Sequence, residues 1–127
     1  MSEININHDE FKTMAASTDP GPFVMLNLLK FKGKEGLDSY AAYAREATRI
    51  LGEIGAQVLY LGKAGEMLQG GERWDALLLV RYPSRKAFLE MISRPDYQAA
   101  HAHRETALER AVLYVTTPVD ALAKIMP

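Results

Sequence analysis

The chain has 127 residues, of which 48% are hydrophobic and 24% charged, the values of a single globular domain rather than of a disordered or membrane-embedded chain. Fifteen basic and sixteen acidic side chains leave a net charge of -1, which supplies no field for a nucleic-acid partner, and no Lys/Arg block makes up for it. There is no cysteine, so disulfides, thiolate nucleophiles and Cys-ligated zinc are excluded.

Met1-Ser2-Glu3-Ile4-Asn5 carries neither a basic n-region nor an apolar h-region, and no run approaches the roughly 18 residues of a membrane span. A cytoplasmic protein with no membrane partner is the expectation. Asn7, with Glu10 reaching back, suits the cap of a short helix whose apolar stripe is Phe11, Met14 and Ala15. After the breakers Ser17 to Pro22, the run Phe23 to Phe31 is apolar on both faces and reads as a buried strand. Lys32 to Gly36 reads as a polar turn. A first long helix follows over Leu37 to Ile54, with Tyr40, Tyr43, Ala47, Ile50, Leu51 and Ile54 at helical spacing.

Gly55 suits the end of that helix, and Gln57 to Leu68 reads as a long strand bent at Gly62 or Gly65. Gln69 to Glu72 supplies a hairpin turn into a third strand, Trp74 to Tyr82. Pro83 cannot donate to a ladder and Ser84 is a good cap, so strand gives way to helix within two residues. Pro95 stops that helix and starts another, on which Tyr97, His101, Arg104 and Leu108 fall on one side at helical steps. Ala111 to Thr116 reads as the fourth strand, and Thr117 to Asp120 as a capped start for a final helix bearing Leu122, Ile125 and Met126.

This order predicts an α+β fold, the ferredoxin-like βαββαβ arrangement with two helices on one face of a four-stranded antiparallel sheet, in a single domain over residues 1–127. Its first and third strands are apolar on both sides. The uncovered face would expose a large apolar patch, and pairing of two copies through it, as a two-fold homodimer, is the simplest remedy.

Met25-Leu26-Asn27-Leu28-Leu29-Lys30-Phe31, the pair Tyr40 and Tyr43, the corner Tyr82-Pro83-Ser84-Arg85, and Pro95-Asp96-Tyr97 followed by Arg104 and Leu108 resemble the domain-of-unknown-function family numbered 1330, of the dimeric α+β barrel superfamily. The resemblance covers about residues 23–117. It implies a homodimer whose two sheets face each other, in a superfamily of cofactor-independent monooxygenases, haem-degrading enzymes, isomerases and small stress-response proteins.

Asn27 places an amide in an apolar run, where an unpaired polar group costs a few kcal/mol. It is either a hydrogen-bonding group at a pocket floor between sheet and helices or an amide paired with a neighbouring loop or bulge. Arg104 can hold a carboxylate or phosphate in two parallel bonds, or else pairs with Glu105, Glu109 or a strand acid. His101 can move a proton near neutrality, or lies at the surface. Tyr43 is a candidate pocket hydroxyl, Tyr40 a core ring, and Trp74 either a ligand contact or a structural strand end. His101 and His103 point about 200° apart on a helix and cannot share an ion, so no metal is expected. No phosphate-loop, dinucleotide or nucleophile-elbow motif is present, and no cofactor is expected.

The residues thus point to a small organic ligand held by Asn27, Tyr43 and Trp74, with Arg104 and His101 as catalytic groups. The matching function is a cofactor-independent monooxygenase or isomerase, or alternatively a non-catalytic homodimeric ligand-binding or stress-response module.

Overall fold

The computed structural model describes residues 6–126, so the leader reading of Met1 to Asn5 lies outside the described residues. In chain order the elements are α1 (His8–Ala16), β1 (Phe23–Phe31), α2 (Gly33–Glu53), β2 (Gln57–Lys63), β3 (Ala76–Tyr82), α3 (Arg85–Ile92), α4 (Pro95–Ala107) and β4 (Leu108–Thr116). The four strands form one antiparallel sheet in the order β2-β3-β1-β4, the α+β arrangement the sequence predicts.

Strand parity sorts β1 cleanly. Phe23, Met25, Asn27 and Leu29 are buried, and the residues between them are only partly so. Register places Tyr82, Val80, Leu78 and Ala76 of β3 opposite the buried set, and Val115, Leu113 and Ala111 of β4 opposite its last three members. This face carries the helices: Ile50 of α2, Phe88 and Met91 of α3 and Tyr97 of α4 pack against Phe23, Met25, Val80 and Tyr82. The opposite face presents Leu26 and Leu28 of β1, Leu77 and Leu79 of β3, and Val112 and Tyr114 of β4, and none of the described residues forms a layer over it.

Local chemistry explains the helix starts. The Ser84 hydroxyl accepts a hydrogen bond from the Ala87 amide at 3.0 Å, satisfying one free N–H of the first turn of α3. Arg94 stays extended before Pro95, which occupies the first turn of α4 and so sets which α4 side chains face inward.

The core divides in two. One cluster gathers around Phe23, Met25, Ile50, Phe88 and Tyr97, the other around Leu29, Tyr40, Ala107 and Leu108. Asn27 lies on β1 between Met25 of the first and Leu29 of the second, and Tyr43 packs against both. Complete burial of Phe23, Leu29, Ile50 and Leu108 contributes about 1.5–3 kcal/mol each.

Several boundaries differ from the sequence reading. The Lys32 to Gly36 segment is not a separate turn. It is the first turn of α2, where the Gly36 amide bonds back to the Lys32 carbonyl and the Lys32 amide to the Ala107 carbonyl. β2 ends at Lys63, not Leu68, and β3 begins at Ala76, not Trp74, because Asp75 is used elsewhere. Its amide donates to the Leu29 carbonyl, and its carboxylate accepts from the Phe31 amide at 2.9 Å and Lys30 Nζ at 3.3 Å. Asn7 makes no side-chain cap on α1. Among the described residues after Thr116 the one regular element is a 3-10 turn over Leu122–Lys124, and Leu122, Ile125 and Met126 are exposed. Leu108 leaves the α4 stripe, since it is extended and opens β4.

Candidate ligand site at the seam of the core

At the junction of the two clusters each layer contributes a polar or aromatic side chain. β1 supplies Asn27, α2 supplies Tyr40 and Tyr43, and α4 supplies Tyr97, His101 and Arg104, which its period of 3.6 residues keeps on one face. The Tyr43 and Tyr97 hydroxyls are 3.0 Å apart, with ring centroids 6.1 Å apart and near edge-on. Tyr40 and Tyr43 lie at 5.3 Å, and Tyr97 and His101 at 5.8 Å.

Arg104 is the anomaly. The residue is 6% exposed, its Nη2 is completely buried, and that nitrogen has no hydrogen-bond partner among the described residues. Among those residues no ion pair includes it, although an unpartnered buried polar group costs about 1–3 kcal/mol and more when charged. Glu105, which the sequence offers as its partner, turns instead to His101, with Oε1 2.7 Å from Nε2. The other His101 nitrogen, Nδ1, is buried and without a partner among the described residues.

The phenols around Arg104 are held neutral. Burial raises the pKa of Tyr43 well above the usual phenol value, with the Tyr97 hydroxyl adding to it. Burial likewise raises Tyr40 and Tyr82, and the positive charge of Arg104 opposes both shifts. At neutral pH these hydroxyls are donors as well as acceptors, in a region whose fixed charge is positive.

The Asn27 amide nitrogen donates to the main-chain carbonyls of Met25 at 3.4 Å and Leu78 at 3.3 Å, both long for N–H···O bonds. Across the sheet its row runs Leu61, Leu78, Asn27, Leu113. The two ends of that row are 67% and 47% exposed, so the helices cover the centre and leave apolar ground at both edges.

Trp74 is not brought to this place. It precedes β3 at the end remote from Tyr82, where the Arg110 guanidinium stacks 4.5 Å from its ring centroid. A groove of about 670 Å³ between α1 and α3, lined by Met14, Arg85, Leu89 and neighbours, includes none of the seam residues. Tyr82 and the Tyr97 hydroxyl are seam members that the sequence reading did not assign to a site. Glu105 was visible in it only as a partner for the wrong residue, although its spacing of four from His101 carried the correct pairing.

A four-stranded antiparallel sheet with its helices on one face, and a polar, phenol-lined seam beneath them, defines an α+β protein of ferredoxin-like fold. Residues 29–118 match the family described as Domain of unknown function (DUF1330), and the chain belongs to that family. The RPA0582 protein of unknown function from Rhodopseudomonas palustris is 32% identical, with 95% of this chain and 100% of that one covered at a TM-score of 0.88. A dimeric protein of unknown function and ferredoxin-like fold from Bacteroides fragilis is 15% identical, covering 75% of this chain and 94% of that one at a TM-score of 0.53. SnoaB, a cofactor-independent oxygenase from Streptomyces nogalater, is 10% identical, covering 82% and 99% at a TM-score of 0.57, a likeness of fold alone. Comparison with curated proteins finds no match. No helix among the described residues is long and apolar enough to cross a membrane.

Proposed function

We propose that this chain is a homodimeric protein that binds a small organic molecule at the seam, with Arg104 holding an anionic or carbonyl oxygen of the ligand. The observation that carries this reading is the buried Arg104 Nη2, which has no partner among the described residues. A guanidinium withdrawn from water and left without a carboxylate is matched by an anionic oxygen from outside the chain. Tyr43 and Asn27 orient the ligand, and His101 is the general acid or base. The chemistry that suits these groups is a cofactor-independent oxygenation or isomerisation. Trp74, packed under Arg110, has no part in this reading.

The homodimer rests on the uncovered sheet face with Leu26, Leu28, Leu77, Leu79 and Tyr114, and on the Bacteroides fragilis neighbour described as dimeric. A non-catalytic module is the second reading. It is favoured by one observation, the Asn27 nitrogen engaged by main-chain carbonyls, which makes that amide a packing group.

Native mass spectrometry of the purified protein tests both parts. A dimer carrying a small molecule, lost in Arg104→Ala and weakened in Asn27→Ala with the dimer intact, is the expected result. Equal ligand retention by wild type and both variants overturns the site.

A further inference from the structure

We infer that Glu105 positions His101 as a base at the Arg104 site, and that the substrate is a small carbonyl compound with an acidic C–H bond. This rests on the reading of Arg104 as the ligand anchor. A carboxylate can only accept, so the 2.7 Å contact of Glu105 Oε1 puts the ring proton of neutral His101 on Nε2. The free lone pair is then on Nδ1. That atom is buried and, among the described residues, unpartnered, as is Arg104 Nη2 three residues further along the same face of α4. Two unsatisfied groups of opposite demand, a lone pair and a cationic donor, thus lie one helical turn apart. Glu105 approaches from the rim, its side chain 36% exposed.

The chemistry that uses both groups is proton transfer next to a carbonyl. The substrate C–H bond breaks, its proton goes to Nδ1, and its electron pair passes into the enolate, whose oxygen takes the Arg104 hydrogen bonds. The Glu105 carboxylate on Nε2 faces the positive charge that forms on the imidazole as it takes the proton. Where the enolate is conjugated with a neighbouring C=C bond, return of the proton from Nδ1 to the γ-carbon moves that double bond next to the carbonyl and completes an isomerisation that needs no oxidant or reductant. Glu105 touches no substrate in this scheme and is a positioning residue.

Nitrogen-15 NMR of the imidazole in the resting protein is the first test, and needs no variant. The Nε2–H tautomer is expected, with a mixture of tautomers in Glu105→Ala, whereas Nδ1–H in the wild type overturns the proposal. The second test follows exchange of the methyl protons of pyruvate, the probe, in deuterated buffer. Wild type is expected to accelerate it, with a loss of about 100-fold in His101→Gln and about tenfold in Glu105→Gln. Pyruvate that binds, and is released by Arg104→Met, without accelerated exchange overturns the base and leaves the anchor standing. Accelerated exchange that persists in Arg104→Met overturns the anchor alone, and a wild type that neither binds nor exchanges pyruvate overturns the substrate class.

Discussion

Tyr43 of α2 and Tyr97 of α4 share a hydroxyl–hydroxyl hydrogen bond of 3.0 Å that ties the two helices together where the two halves of the core meet. Each hydroxyl satisfies the other in a place water does not reach freely. Tyr43→Phe and Tyr97→Phe should therefore each cost about 1 kcal/mol in denaturant unfolding, and the double variant less than their sum by about 0.5–1.5 kcal/mol. Strict additivity would show that the two hydroxyls do not support each other.

The buried phenols should make the protein sensitive to alkali. Tyr40 and Tyr43 ionise above the ordinary 10.0 in the folded state, so the unfolded chain loses these protons first. Their stabilisation is complete below about pH 10 and falls as pH rises toward the folded-state values. Stability measured against pH should drop there, and Tyr43→Phe should flatten the drop. An alkaline drop of the same size in Tyr43→Phe would contradict the burial of that ring.

Arg104→Met should stabilise the unliganded protein by about 1–3 kcal/mol, because it replaces a buried cation, whose Nη2 has no partner among the described residues, with an apolar chain of similar length. Thermal unfolding is the check. A large loss of stability would mean that Arg104 is held by structural partners and is not poised for a ligand.

Asp96 joins Arg94, Arg49 and Glu53 in an exposed ion-pair network between α2 and α4. The Arg94 hydrogen bond, with Arg49 adding to it, pulls the Asp96 pKa from 3.8 to about 2, and the same two arginines lower Glu53. Both carboxylates stabilise the fold fully above their unfolded values, and that contribution is lost as pH falls toward about 2. Asp96→Asn should keep the oxygen that accepts the Tyr97 amide and lose only the charge. The stability gap between wild type and this variant should be flat near neutrality, close toward pH 2, and shrink in salt on the order of 1 M. A gap that persists in acid would assign the effect to packing.

Gly36 lies where α2 crosses the end of α4, and a Cβ there would stand 2.5 Å from the Ala107 carbonyl oxygen. Gly36→Ala should destabilise by roughly 1–3 kcal/mol despite the better helix propensity of alanine, since backbone must move. An unchanged or raised unfolding midpoint would show that the crossing is loose.

The parts of this fold that were legible in the sequence are those decided within a few residues. Pro83-Ser84 ends β3 and starts α3, and Pro95 starts α4, through φ restriction, a missing donor and a cap bond that are all local. Strand parity in β1 and the helical stripe of α2 follow from periods set by the backbone itself. Boundaries that depended on distant partners were misread. Asp75 leaves the strand for Leu29 and Phe31, Leu108 joins β4 through pairing with Phe31, and the C-terminal stripe forms a 3-10 turn in place of a helix.

The seam divides in the same way. That Asn27 turns toward the helices, and Tyr43 and Arg104 toward the sheet, was legible in the sequence, because each sits at a position whose phase a strand or helix fixes. Which of them finds a partner was decided only by the tertiary structure. Asn27 is engaged by the Leu78 carbonyl, 51 residues away, and Tyr43 by Tyr97, 54 residues away, while Arg104 meets phenols and no acid. Satisfaction of a buried polar group is a property of the atoms around it in space, and spacing along one chain segment does not carry that information.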